Sequence, residues 1–254
     1  MTVPAMTVPA DSAPEDFLLG GRVRLTQPEG AYRAAIDPVL LAAFTAAREG
    51  ERVLDVGAGT GAASLCLAAR VSGAQITGLE QRADAAAYAR RNIALNEMEE
   101  RVALVEGDLL APPPVLAGLR FDRVMMNPPY LKAGAASVPP DDWKAAANVE
   151  GAASLPDWLR FAARMLKPRG TLTLVHRADR LDEILAALHG RFGGVLLVPV
   201  WPKAGEAARR VLLSARLGGK APFRLSAGLT MHEAAGGYTE AAERVLRGAE
   251  ALEG

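Results

Sequence analysis

From position 52 onward the chain alternates short apolar runs with longer stretches whose apolar residues recur every three or four positions. The runs at 53–56, 76–80, 102–106, 121–126 and 172–176 read as strands, and 62–70, 83–96, 155–166 and 180–189 as the helices between them. Continuous apolar strands separated by helices imply a parallel sheet covered on both faces. Two further runs, 195–201 and 211–216, are joined by about nine residues around Pro202 and Gly205, too few for a helical crossover, so they are expected to pair antiparallel. The expected fold is α/β and Rossmann-like: a seven-stranded, mostly parallel sheet with an antiparallel last strand and helices on both faces.

The first ten residues, MTVPAMTVPA, repeat one five-residue unit and lack the basic and long apolar segments of a leader peptide. Residues 1–16 are expected to form a disordered tail. Residues 17–254 are read as a single domain, with 17–50 an N-terminal lid and 51–254 the Rossmann-like core. Within the lid, Asp37 and Pro38 look like a helix start, Asp37 as the cap. The stretch 132–149, rich in small residues and proline, is expected to be a mobile loop over the site, and 238–252 a terminal helix.

Composition narrows the function classes. Half the residues are apolar, enough for a substantial core. No run approaches the roughly 20 apolar residues that cross a bilayer, so no membrane partner is expected and the location is read as cytoplasmic. The single cysteine, Cys66, excludes an internal disulfide and a cysteine-rich metal site; no metal is expected, and a monomer is the working assumption. With 29 basic and 29 acidic side chains the net charge is zero, which argues against a whole-surface grip on phosphates. The cations are nonetheless uneven. Lys203, Arg209, Arg210, Arg216, Lys220 and Arg224 face only Glu206 in their stretch, and Arg22, Arg24 and Arg33 form a smaller excess near the lid. Both groups are candidates for phosphate contact.

Asp55-Val56-Gly57-Ala58-Gly59-Thr60-Gly61 follows a strand and precedes a helix. Glycines there let the backbone turn sharply and approach a ligand closely. Gly57, Gly59 and Ala62 also satisfy a dinucleotide fingerprint, so this loop alone leaves a methyl donor and a nicotinamide cofactor open. Glu80, ending the next strand, suits ribose hydroxyls under either reading.

Asn127-Pro128-Pro129-Tyr130 ends the fourth strand, at the edge where open α/β sheets bind ligands. Two prolines remove two amide donors and hold the chain extended. The Asn127 side-chain oxygen and the Pro128 carbonyl are then available to accept from one amino group. A planar amino nitrogen such as that of adenine is a poor nucleophile because its lone pair is delocalised. Two acceptors on its hydrogens favour a pyramidal nitrogen and stabilise the positive charge that develops as it attacks a sulfonium methyl. Tyr130 is expected to offer a ring on which a flipped base stacks.

On these motifs the chain resembles class I S-adenosylmethionine-dependent methyltransferases of the amino-group type. Within that class it is similar to the bacterial enzymes that N6-methylate the adenosine beside the anticodon of a valine tRNA. The resemblance runs from Leu18 to Arg247. It also rests on Gly30-Ala31-Tyr32-Arg33, Asp37-Pro38-Val39-Leu40-Leu41-Ala42, Leu166-Lys167-Pro168-Arg169-Gly170 and Ala208-Arg209-Arg210-Val211-Leu212. It implies S-adenosylmethionine as cofactor and tRNA as partner. Asp55, Gly57, Gly59 and Gly61 would hold the methionine part of the cofactor and Glu80 its ribose. Asp108 and the Leu109 amide would take its adenine, while Asn127, Pro128 and Tyr130 hold the target nitrogen. No dedicated base is implied.

Protein-glutamine methylation poses the same lone-pair problem and is the first rival, disfavoured by the short segment before the first strand. Guanine N2 in ribosomal RNA, DNA adenine, a nicotinamide dehydrogenase and a non-catalytic binding module rank lower. His176 and Arg177 end the fifth strand near the expected cleft and are assigned to capping ahead of substrate contact. Trp158 and Trp201 are read as core or interface, His189 and His232 as surface or turn residues, and Trp143 as a packing residue or an RNA platform.

Overall fold

The computed structural model describes residues 15–28, 36–130 and 151–254. The expected tail lies almost wholly outside these residues, as do Gly30, Tyr32, Arg33, the 132–149 loop and Trp143. The first described elements form a hairpin, β1 (Glu15–Leu18) and β2 (Val23–Thr26), so Glu15 and Asp16 are strand residues where a disordered tail was expected. Helix α1 (Ile36–Phe44) follows. The core then alternates β3 (Arg52–Val56), α2 (Ala62–Arg70), β4 (Gln75–Glu80), α3 (Ala83–Leu95), β5 (Val102–Glu106) and β6 (Phe121–Met126). After the segment 131–150 come α4 (Leu155–Met165), β7 (Leu166–Arg177), α5 (Leu181–Leu188), β8 (Phe192–Lys203) and β9 (Arg210–Leu217). Short strands β10 (Arg224–Leu225) and β11 (Leu229–His232) and helix α6 (Glu240–Leu246) close the chain.

The main sheet runs β5-β4-β3-β6-β7-β9-β8, parallel except for β9, which is antiparallel to both β7 and β8. That is the expected seven-stranded arrangement. Two strands were not anticipated: β10 and β11 both pair parallel with β8, bringing the sheet to nine. Strand β3 is buried at four of its five positions, as a central strand covered on both faces must be. Strand order reverses between β3 and β6: β4 and β5 lie to one side, β7 and β9 to the other. Loops leaving the carboxyl ends of β3 and β6 therefore diverge and open a crevice.

Two features fix what surrounds that crevice. Helix α1 is not a cover but a core element, since every residue from Asp37 to Phe44 is buried. Asp37 lies within this helix and its carboxylate serves tertiary partners, so the expected cap is corrected. Secondly, α3 docks the hairpin through side chains. Asn96 accepts from the Arg24 N–H and donates to the Arg24 carbonyl; Asn92 does the same to Thr26 and also donates to the Thr60 carbonyl. Residues four apart on a helix are spaced by about 6 Å, close to the two-residue repeat of a strand. Two asparagines thus imitate a neighbouring strand and tie β2 to the loop after β3. No helix among the described residues is long and apolar enough to cross a membrane.

Candidate active site

The crevice is a cleft of ≈ 560 Å³. Its walls bring together Asp55, Gly57, Gly59, Glu80, Leu109 and Asn127, six of the residues picked out from sequence. Gly61 stands behind it, as the left-handed residue that starts α2 (φ 86°). Asp108 is not on the wall, although its neighbours Gly107 and Leu109 are; its Oδ1 accepts the Leu110 N–H at 2.8 Å, closing a local turn. Asn127 and Pro129 face the cleft with Pro128 buried between them.

The glycines are needed for two different reasons. Gly57 has φ of 72°, and a Cβ there would lie 2.5 Å from the Trp158 ring. Gly59 has φ of 57° with open space around it, so conformation and ligand access are what a side chain would disturb. Trp158, from α4, belongs to the buried core, as expected, and also forms part of the cleft wall. Its helix starts with a reciprocal cap between Ser154 and Asp157 and buries Leu155, Trp158, Leu159, Ala162 and Met165, which aims the indole at the glycine loop.

The cleft is electronegative inside. Asp55 is buried and accepts from the Ser64 hydroxyl at 2.7 Å. Burial pushes its carboxyl up to about 6; the Ser64 hydrogen bond opposes the rise and the charge of Glu80 adds to it. Glu80 accepts the Gly59 N–H and the Arg82 N–H, both at 2.8 Å. Burial raises its pKa as well, against the pull of those backbone donors. Two buried carboxylates in one cleft favour a cationic ligand and oppose a diphosphate.

Beside the cleft lies a second, drier cluster that sequence reasoning did not assemble. The Tyr130 hydroxyl is 2.6 Å from Asp37 Oδ2 and 2.7 Å from the Asn127 side-chain amide. Arg210 donates to Asp37 Oδ2 at 3.1 Å, and its guanidinium sits 4.8 Å from the centre of the Tyr130 ring. His176 meets the same ring edge-on at 5.4 Å. Tyr130 is only 7% exposed and does not line the cleft, so the ring expected as a stacking platform is instead enclosed by Arg210 and His176. His176 is wholly buried and does not line the cleft; among the described residues its ring nitrogens have no partner of good geometry, with only the backbone of Pro129 and Arg177 close by. Burial, aided by the charge of Arg180, lowers its pKa to about 4, so it is neutral near pH 7.

The basic stretch divides. Arg210 stands opposite Arg177 at the carboxyl end of β7, whereas Arg216 stands opposite Thr171 at the other end. Arg216 and Lys220 line a separate cleft of ≈ 610 Å³ with Arg123 and Arg169. Of the smaller group, Arg22 donates to the Gly248 carbonyl and Arg24 is paired with Glu15.

Comparison with known proteins agrees with this geometry. A family model for the methyltransferase small domain matches residues 34–198. A tRNA1(Val) (adenine(37)-N6)-methyltransferase of Aeromonas salmonicida is 34% identical over 220 residues, 83% of this chain and 86% of the relative. One from Porphyromonas gingivalis is 32% identical over 67% of this chain and 69% of its own length. Among solved structures, an Agrobacterium tumefaciens protein described as a predicted O-methyltransferase is 32% identical, with a TM-score of 0.70 over 85% of this chain and 98% of that one. A precorrin-6y C5,15-methyltransferase of Geobacter metallireducens shares the fold at 17% identity and a TM-score of 0.52.

Proposed function

The chain belongs to the methyltransferase small-domain family, and from that footing we propose that it transfers a methyl group from S-adenosylmethionine to N6 of an adenine in RNA, the adenosine beside the anticodon of a valine tRNA. The observation that carries the reading is the sharing of one cleft by Asn127 with Gly57, Gly59 and Glu80. Donor-binding and amino-gripping groups there lie at adjacent strand ends, as in-line transfer requires.

The cleft suits this cofactor. Its volume falls within the usual range for small-molecule sites, roughly 300–1,000 Å³. Asp55 and Glu80 give it the negative interior that an ammonium and a sulfonium require, and the same charges oppose the diphosphate of a dinucleotide. Glu80 keeps carboxylate lone pairs beyond those used by Gly59 and Arg82, so it can take ribose hydroxyls without releasing the loop. The Leu109 amide, on the same wall, is assigned to the edge of the cofactor's adenine. The cofactor supplies an activated methyl group and nothing else.

The protein's own contribution is to the nucleophile. Among the described residues the Pro128 carbonyl accepts no backbone hydrogen bond, and it is assigned, with the side-chain oxygen of Asn127 on the cleft wall, to the target amino group. Held by two acceptors, the adenine amino group puts its lone pair in line. S-adenosylmethionine held by the glycine loop and Glu80 would give up its methyl group to that nitrogen and leave as S-adenosylhomocysteine, and the proton lost from the nitrogen would pass to water. Lys203, Arg209 and Arg177, at the same end of the sheet, are assigned to RNA phosphates.

The test is incubation with radiolabelled methyl donor and, in separate reactions, tRNA, ribosomal RNA and release-factor protein. Label is expected in tRNA, as N6-methyladenosine after nucleoside digestion. Label in glutamine or in N2-methylguanosine contradicts the reading.

A further inference from the structure

A phenol has one proton to donate, yet the Tyr130 hydroxyl lies within hydrogen-bond distance of two acceptors, Asp37 Oδ2 at 2.6 Å and Asn127 Oδ1 at 2.7 Å. Both contacts cannot be made by the same hydrogen. Asp37 is the stronger claimant. Its carboxylate is buried, bridged to Arg210 at 3.1 Å, and charge-assisted acceptors outcompete neutral amides. With the proton on the Asp37 side, the hydroxyl turns a lone pair toward Asn127. Two oxygens 2.7 Å apart with no hydrogen between them repel. Turning the Asn127 amide by 180° removes the conflict, because Nδ2–H then donates to the Tyr130 oxygen. The two amide orientations are nearly isosteric, so the surrounding network chooses between them.

We infer that Asp37 and Tyr130 form a positioning relay that fixes the Asn127 amide with its nitrogen toward Tyr130 and its oxygen toward the cleft. The inference rests on the proposed function for its purpose: only an amide oxygen, not an amide NH₂, can accept from the target amino group. Arg210 completes the relay from β9, anchoring Asp37 and covering the Tyr130 ring. The relay also gives buried α1 a role at the site, since the orienting charge comes from that helix and not from the strand that carries Asn127. Tyr130 works through its hydroxyl here, and its burial between Arg210 and His176 holds that hydroxyl in place.

The first test needs no substrate. The chain contains four asparagines, Asn92, Asn96, Asn127 and Asn148, so selective ¹⁵N-asparagine labelling yields four side-chain NH₂ pairs, and Asn127→Ala identifies its own by loss. The Asn127 pair is expected to be protected from water exchange. Tyr130→Phe, which removes one oxygen and keeps the ring, should speed that exchange by about 10-fold or more, and Asp37→Asn should do so less. A pair indifferent to both substitutions overturns the relay, whatever the substrate proves to be.

The second test is kinetic. Tyr130→Phe and Asp37→Asn should each lower kcat by about 10- to 100-fold while S-adenosylhomocysteine affinity, measured by calorimetry, stays within about threefold. Because Asp37 acts through the Tyr130 hydroxyl, the double variant should be no more than about twofold slower than Tyr130→Phe. Losses that multiply, or a Tyr130→Phe enzyme with undiminished kcat, overturn the relay. A wild-type enzyme that methylates some other atom overturns the functional reading separately, and the exchange experiment still decides the relay.

Discussion

The two ends of the central sheet are built from the same strands and follow opposite rules. At the amino end several charges are matched in pairs: Glu51 takes a two-point contact from Arg123, and Asp122 holds Lys167 and the Arg52 N–H, beside the basic cleft of Arg169, Arg216 and Lys220. At the carboxyl end, Asp55 and Glu80 are both buried, Gly57, Gly59 and Gly61 all have positive φ, and among the described residues Asp37 Oδ1 and both ring nitrogens of His176 are buried without a hydrogen-bond partner of good geometry. Stability alone accounts for the pairs at the amino end. The carboxyl end tolerates local costs that make sense only if a ligand and a reacting group complete it.

The contrast is broken most severely at Asn127. Asn127→Ala should reduce methyl transfer by about 10³-fold, the scale of losing one preorganised polar contact to a transition state, with cofactor affinity within about threefold in calorimetry. Gly57→Ala comes next and acts through structure. A methyl group 2.5 Å from Trp158 at φ of 72° should cost about 2–4 kcal/mol in chemical denaturation and weaken cofactor binding together with it.

Asp55 gives the contrast a pH signature. A carboxyl whose folded pKa is raised to about 6 favours the folded state most fully below its unfolded value, and loses that contribution as pH rises through 6. Asp55→Asn should therefore flatten the stability profile between about pH 4 and 7 and raise stability at pH 7.5 by on the order of 2–3 kcal/mol, read by denaturant midpoints. Wild-type affinity for the cationic cofactor should improve across the same interval as the carboxylate ionises, and the variant should lose that dependence.

The smallest effects separate the two ends as RNA surfaces. Lys203→Ala and Arg209→Ala, at the carboxyl end, should each lower the salt slope of tRNA binding by about one, whereas Arg216→Ala and Lys220→Ala should leave it unchanged. Glu51→Ala, which unpairs Arg123 at the amino end, should cost about 1 kcal/mol of stability and no methyl transfer.

What could be read from the chain follows the same division. The seven core strands and their helices were legible because burial on two faces leaves unbroken apolar runs, and the cleft was legible because glycine loops and an Asn-Pro-Pro-Tyr turn mark strand ends. Strands β10 and β11 were not: they are short, and they border a stretch of Gly, Ala, Pro and Ser with no alternation to find. Asp37 was misread because an acidic residue before proline is a good helix start wherever it falls. Only the approach of Tyr130 and Arg210, 93 and 173 positions away, reveals its use. Trp158 is core, as its spacing indicates, but its place on the cleft wall is not legible, because an indole on an amphipathic helix has that spacing whether its last ring faces leucines or a ligand. The Asn92 and Asn96 pair does carry a signal, two amides one helical turn apart, but its partner strand is remote in sequence.

The central claim concerns one bond between a donated carbon and one exocyclic nitrogen. Reaction of ¹³C-methyl-labelled S-adenosylmethionine with valine tRNA containing ¹⁵N at adenine N6 allows that bond to be observed by NMR. The account predicts a one-bond carbon–nitrogen coupling on a single adenosine in the anticodon loop, present with the wild type and absent with Asn127→Ala. A labelled methyl group without that coupling, or one attached to protein, contradicts it.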